Sequence, residues 1–176
     1  GSPNKHIPRF IETRLGPRQY GTLLREIRRQ GLIAICTPFD EDSVGVIDEM
    51  GFDVIKVASS SARDWPLLER IADSDKPVIY STGGLTLRNI DDLNSFFGHR
   101  GVDNAIMHCV SIYPIPDAHF NLNQLDELRI RYPDKVIGWS THERPEDLTP
   151  VQIAVAKGAR MFERHVGKET DTIRLN

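Results

Sequence analysis

Six short runs rich in β-branched and other apolar residues punctuate the chain. Each breaks off into polar, chemically capable residues: LIAICTPFD, DVIKVASSS, PVIYSTGG, NAIMHCVS, KVIGWSTH and MFERHVG. Inside each run the apolar residues are nearly continuous rather than alternating, the pattern of a strand covered on both faces. Segments of helical composition separate them. Helices are expected from Pro17 to about Gln30, from Asp40–Ser43 to Met50 and over Trp65–Ala72. Three more are expected from Thr86 to Phe97, from Leu122 to Arg131 and from Pro145 to Ala156. Gly31, Gly51 and Gly158 stand where three of these should stop, and Asp64 stands where a cap is needed, with Pro66 in the first turn behind it. Residues 1–16, with Pro3, Pro8 and the Gly16-Pro17 break, read as an irregular lead-in whose Gly1-Ser2 is a cloning remnant.

Strand and helix in strict alternation specify a parallel α/β fold. The polar clusters all fall at the carboxyl ends of the strands, where such folds build active sites. No GxGxxG follows a strand, so a dinucleotide-binding unit is unsupported. A doubly wound sheet would gather its chemistry at one switch point, whereas here every strand end carries some. The expected fold is therefore a (β/α)8 TIM barrel present in part, with six recognisable units in a single domain over residues 17–176.

Composition narrows the function. Hydrophobic residues make up 39% and charged ones 27%, with a net charge of −3, and the short basic stretch Arg25–Arg29 is interrupted by Glu26 and Ile27. Nucleic acid is not an expected partner. Neither is a membrane, since no apolar run approaches the roughly 18 residues of a span. Cys36 and Cys109 lack any CxxC partner and read as two reduced, buried thiols of a cytoplasmic protein.

The candidate chemistry begins with Lys56, set inside the otherwise apolar VIKVAS. A buried ammonium needs an anion. That anion is either a carboxylate of another strand, such as Glu163, or a ligand in the barrel. Around it recur Thr37, Ser59, Ser60, Ser61, Ser81, Thr82, Gly83, Gly84, Ser111 and Ser140, hydroxyls and open backbone suited to phosphate or carboxylate. His142 and His165 end consecutive strands, which lie about 4.8 Å apart, close enough for two imidazoles to share a divalent ion. His108, one strand earlier, is a lesser candidate.

These motifs, CTPFD, KVAS, STGG, HCVSIYP, GWSTH and ERH in this order, resemble those of the sialic acid synthases, from about Phe10 onward. The resemblance implies a phosphoenolpyruvate-dependent transferase on a (β/α)8 barrel, joining phosphoenolpyruvate to an N-acetylmannosamine-type sugar or its 6-phosphate. It implies a divalent metal, manganese or magnesium, on His142 and His165. It assigns Thr37, Lys56, Ser59, Ser81 and Ser140 to phosphoenolpyruvate, with Ser111 at a neighbouring contact. A homodimeric parent protein is implied too. The first two strands of the family barrel and its C-terminal antifreeze-like domain have no counterpart here. Two departures bear on the sugar: Ser60-Ser61 stand where many members have Gly-Glu, and Thr141 stands for the usual Asp. Two other readings remain open, a barrel aldolase forming a Schiff base on Lys56, and a non-catalytic sugar- or phosphate-binding barrel. Lys56 and Ser59 should face opposite ways on a regular strand, so a turn after Ala58 is expected.

Overall fold

A computed structural model describes residues 7–113, 115–143 and 146–166. It contains one sheet of six strands: β1 (Ile35–Cys36), β2 (Val54–Val57), β3 (Val78–Ser81), β4 (Asn104–Cys109), β5 (Val136–Ser140) and β6 (Met161–Glu163). Every neighbouring pair is parallel, and the spatial order is the chain order. A doubly wound sheet would reverse that order at a switch point; an unbroken order is that of a barrel wall.

The helices are α1 (Ile7–Glu12), α2 (Pro17–Arg29), α3 (Glu41–Met50), α4 (Trp65–Ala72), α5 (Leu87–His99), α6 (Asn123–Arg131) and α7 (Thr149–Ala156). Their ends follow the residues that signal them. Asp40 accepts the Ser43 N–H at 2.7 Å to cap α3, and Gly51, at φ 76°, ends it in the left-handed conformation. Thr86 and Asn89 form a reciprocal box at the start of α5. Two expectations are corrected. The irregular lead-in contains α1, whose Pro8 sits in the first turn, where the missing N–H has no partner to lose. The last helix starts at Thr149, whose N–H is taken by the Asp147 carboxylate at 3.0 Å; Pro145, the expected start, lies outside the described residues.

Alternation along the strands sorts the two faces of the sheet. Ile55, Val57, Val78, Tyr80, Ile106, Ile137 and Trp139 point outward into the main core beneath the helices. Leu67, Leu68 and Ile71 of α4 are fully buried there, each stabilising the fold by roughly 2 kcal/mol. Val54, Ile79, Ala105, Met107 and Met161 form a second, smaller cluster on the inner face. Above that cluster, toward the carboxyl ends, come Lys56, Ser81, Cys109, Ser140 and Glu163.

The sheet is curled. Lys56 on β2 and Glu163 on β6 form an ion pair at 3.3 Å across the inner face. Strands four places apart in a flat sheet lie about 19 Å from each other, farther than a lysine and a glutamate reach together. The described strands therefore make a half-barrel whose β1 and β6 edges carry exposed Ile33, Ile35, Phe162 and Val166. Among the described residues no helix is long and apolar enough to cross a membrane.

Candidate active site

The inner face of the half-barrel collects the charged and hydroxyl groups. Register puts Cys109, Ser140 and Glu163 in one row, while Ser81 pairs with Met107, the preceding inward position on β4. The Glu163 carboxylate is the hub. It meets Lys56 Nζ at 3.3 Å and accepts the Ser140 hydroxyl at 2.7 Å. Ser81, only 2% exposed, points its Oγ into the same face with no hydrogen-bond partner among the described residues. A buried hydroxyl left unpaired costs free energy until something meets it.

The loops after the strands add a second group. A short 3-10 turn, Ser59–Ser61, begins directly after Ala58 and turns Ser59 toward β3. The side-chain oxygens of Ser59 and Ser111 and the Cys109 sulfur converge on Gly83. A Cβ built there would sit 3.0 Å from Ser59 Oγ, 3.2 Å from Cys109 Sγ and closer still to Ser111 Oγ. Glycine is what leaves this cradle open. Thr37 lies one residue past β1, and continuing the Cys36–Ile55 register places it beside Lys56.

His142 and His165 each stand two residues beyond their strands, in line with Ser140 and Glu163. Their ring centroids are 4.9 Å apart. Tyr113, from the loop after β4, lies over His142 at 4.2 Å. Burial, then the neighbouring His165, holds His142 below the ordinary imidazole range, so its ring is neutral at neutral pH. Its Nδ1 is buried with no hydrogen-bond partner among the described residues. Two imidazoles at this spacing, one with an orphaned nitrogen, form a donor set that fits a divalent cation with open positions left for oxygen ligands. On the outer side, an ion pair of 2.8 Å between Arg164 and the buried Glu143 ties the two histidine-bearing segments together.

Lys56, Ser81, Ser140, His142 and His165 are thus brought to one face, with Ser59 and Ser111 above them at Gly83. His108 is not part of it. It follows outward-facing Ile106 by two residues, so it points into the helix layer, where its Nε2 meets the Phe120 carbonyl at 2.9 Å. It lines a recess of about 840 Å3 with Ile90, Leu122, Gln124 and Lys157 of the helix layer, a recess that also reaches Cys109 and Ser111. The ion pair of Lys56 with Glu163 is the carboxylate partner expected from the sequence. Two residues of the face are not among the expected site residues: Cys109 reads as a core thiol and Tyr113 as part of a motif. Strand parity with Ser140 is the signal that could place Cys109. Burial raises the Cys109 thiol, against the opposing effect of its hydrogen bond with Ser140, so it is poorly nucleophilic here.

Comparison with known proteins fits this geometry. The model of the NeuB family matches residues 4–173. N-acetylneuraminate-9-phosphate synthase of Drosophila melanogaster is 32% identical over 148 residues, which cover 84% of this chain and 39% of the relative. The crystal structure of a Chromobacterium violaceum protein, assigned as spore coat polysaccharide biosynthesis protein E, superposes with a TM-score of 0.95 at 51% identity. That match covers 99% of this chain and 52% of the other. The citrate complex of N-acetylneuraminic acid synthetase from Leptospira borgpetersenii gives a TM-score of 0.85 at 28% identity, over 93% of this chain and 57% of that one. The chain spans about two fifths to just over half of the length of these relatives. It belongs to the NeuB family.

Proposed function

We propose that this chain carries the phosphoenolpyruvate- and metal-binding face of a sialic-acid-type synthase. That enzyme condenses phosphoenolpyruvate with an N-acetylmannosamine-type sugar, or its 6-phosphate, to a 2-keto sugar acid and phosphate. The observation that carries the reading is the single inner face on which Lys56 and Ser140 meet an anion beside paired His142 and His165. The names of the relatives, an N-acetylneuraminate-9-phosphate synthase and an N,N'-diacetyllegionaminic acid synthase, support a product of the nonulosonic acid class.

Lys56 supplies the charge for the phosphate, and Thr37, Ser59, Ser81, Ser111 and Ser140 supply hydrogen bonds to the phosphate and carboxylate oxygens. A divalent cation, manganese or magnesium, on His142 and His165 would supply Lewis-acid polarisation of the open-chain sugar aldehyde. Fixed in this way, C3 of phosphoenolpyruvate lies against that carbonyl carbon and the new C–C bond forms between them. Water adds at C2, and the bond between C2 and the bridging oxygen breaks, so that this oxygen leaves with phosphorus as inorganic phosphate and the C2 hydroxyl left by water gives up its proton to become the keto group. Lys56 stays with the phosphate oxygens as their charge grows. A homodimeric parent and a cytoplasmic setting belong to the same reading.

Calorimetric titration tests it. Phosphoenolpyruvate is expected to bind, with an affinity that responds to manganese, and His142→Ala is expected to lose the manganese response while keeping a folded-state melt. A folded protein that takes up neither ligand would sink the proposal. The Schiff-base alternative is weaker because Lys56 meets a carboxylate rather than the desolvated, apolar or cationic surroundings that activate such lysines. Borohydride trapping with a carbonyl substrate should leave Lys56 unmodified.

Gly83 offers a separate check on the cradle. Gly83→Ala puts a methyl among the side chains of Ser59, Ser111 and Cys109, in the buried turn just after β3. Phosphoenolpyruvate affinity should fall about tenfold or more, with a melting temperature within a few degrees of the parent. Unchanged affinity would place the ligand away from this loop.

A further inference from the structure

In this structure the anion seat is taken by a side chain of the protein itself. Glu163 spans Lys56 and Ser140 at once, at 3.3 Å and 2.7 Å, and so uses the same ammonium and hydroxyl that the site offers to a substrate anion. Its side chain is 41% exposed while that of Lys56 is 17% exposed. The carboxylate therefore approaches the buried lysine from the open side of the half-barrel, the side from which a ligand must also arrive. A phosphate and a carboxylate cannot share one ammonium and one hydroxyl at contact distance without strong like-charge repulsion.

We propose that Glu163 acts as a resident surrogate anion. It holds Lys56 and Ser140 in position while the site is empty and yields both to the incoming phosphate, so that every anion binding there first displaces the same carboxylate. The inference rests on the phosphoenolpyruvate reading given above. Two consequences follow from the geometry. Lys56 and Ser140 stay preorganised when no ligand is present, because neither is left unpaired. The intrinsic affinity of the seat is masked by a constant displacement cost, so weak anions such as lone inorganic phosphate bind poorly. A displaced Glu163 also remains near the histidines, because it shares the inner face with His165 two residues on.

A constant cost has a distinctive signature. Removing the carboxylate should tighten different anions by the same factor. Calorimetry on the protein would compare wild type with Glu163→Gln and Glu163→Ala, using phosphoenolpyruvate and inorganic phosphate as the probes. Both variants are expected to bind both anions about tenfold more tightly, with the ratio of the two dissociation constants unchanged. Tightening in Glu163→Gln alone would trace to the introduced amide and overturn the inference. So would a wild type that binds phosphoenolpyruvate through Lys56 while both variants bind equally or more weakly, an outcome that leaves the synthase reading standing. Failure of all three proteins to bind either anion would instead remove the anion seat, and the inference with it.

Discussion

Lys56→Met is expected to lower phosphoenolpyruvate affinity at least a hundredfold and turnover by about a thousandfold, with little change in melting temperature. The separation of the two effects comes from where the side chain sits. Lys56 faces inward, away from the main core under the helices, and methionine reproduces the length and most of the volume of its stem. On the proposed reading, what is lost is the positive charge that faces the phosphate as C–O cleavage loads it with charge. Lys56→Arg is not a conservative rescue, because a wide planar guanidinium would have to fit between Thr37 and Glu163 in place of a compact ammonium. Steady-state phosphate release, combined with calorimetry and a thermal melt of each variant, separates the outcomes. Binding retained within threefold in Lys56→Met would remove the lysine from the site.

Much of this arrangement could be read along the chain, because the parts that could be read depend on local rules. Strand identity followed from continuous apolar runs, and helix ends followed from Asp40, Gly51, Asp64 and Thr86, each acting within a few residues of its own position. The pairing of His142 with His165 was readable because equivalent positions on neighbouring strands must lie side by side. Parity explains the main error at the site. His108 and Cys109 are adjacent, only one of them can face inward, and Ile106 in the outer core gives that place to Cys109. That Lys56 needs an anion, with Glu163 a candidate, could be read from the chain; that the two actually meet depends on how far six strands curl, a property of the whole sheet. Edges were equally hard to see. LIAIC looks like a full strand, yet only Ile35 and Cys36 join the ladder, because pairing depends on a neighbour that the run itself does not encode.

Gly138→Ala should produce the largest loss of stability, about 3 kcal/mol, and should disable the site at the same time. Gly138 sits on the inner face of β5 between its register partners Met107 and Met161. A Cβ there would lie 2.5 Å from Met107 Sδ, 2.5 Å from the Met161 carbonyl oxygen and 2.7 Å from Met161 Cβ. The thioether can swing aside. The Met161 carbonyl belongs to the backbone of β6, so relief there requires moving the strand. Moving β6 away from β5 carries Glu163 from Ser140 and His165 from His142, which links a packing defect directly to loss of the proposed anion and metal binding. Gly98→Ala in α5 is the matched control. Its Cβ meets nothing within 4 Å, so it should leave binding untouched and raise stability by up to about 0.5 kcal/mol through helix propensity. Urea denaturation with manganese titration of both variants decides the matter. A Gly138→Ala protein as stable as the parent would mean that β4, β5 and β6 do not pack in this register, and the alignment of the two histidines would lose its structural basis.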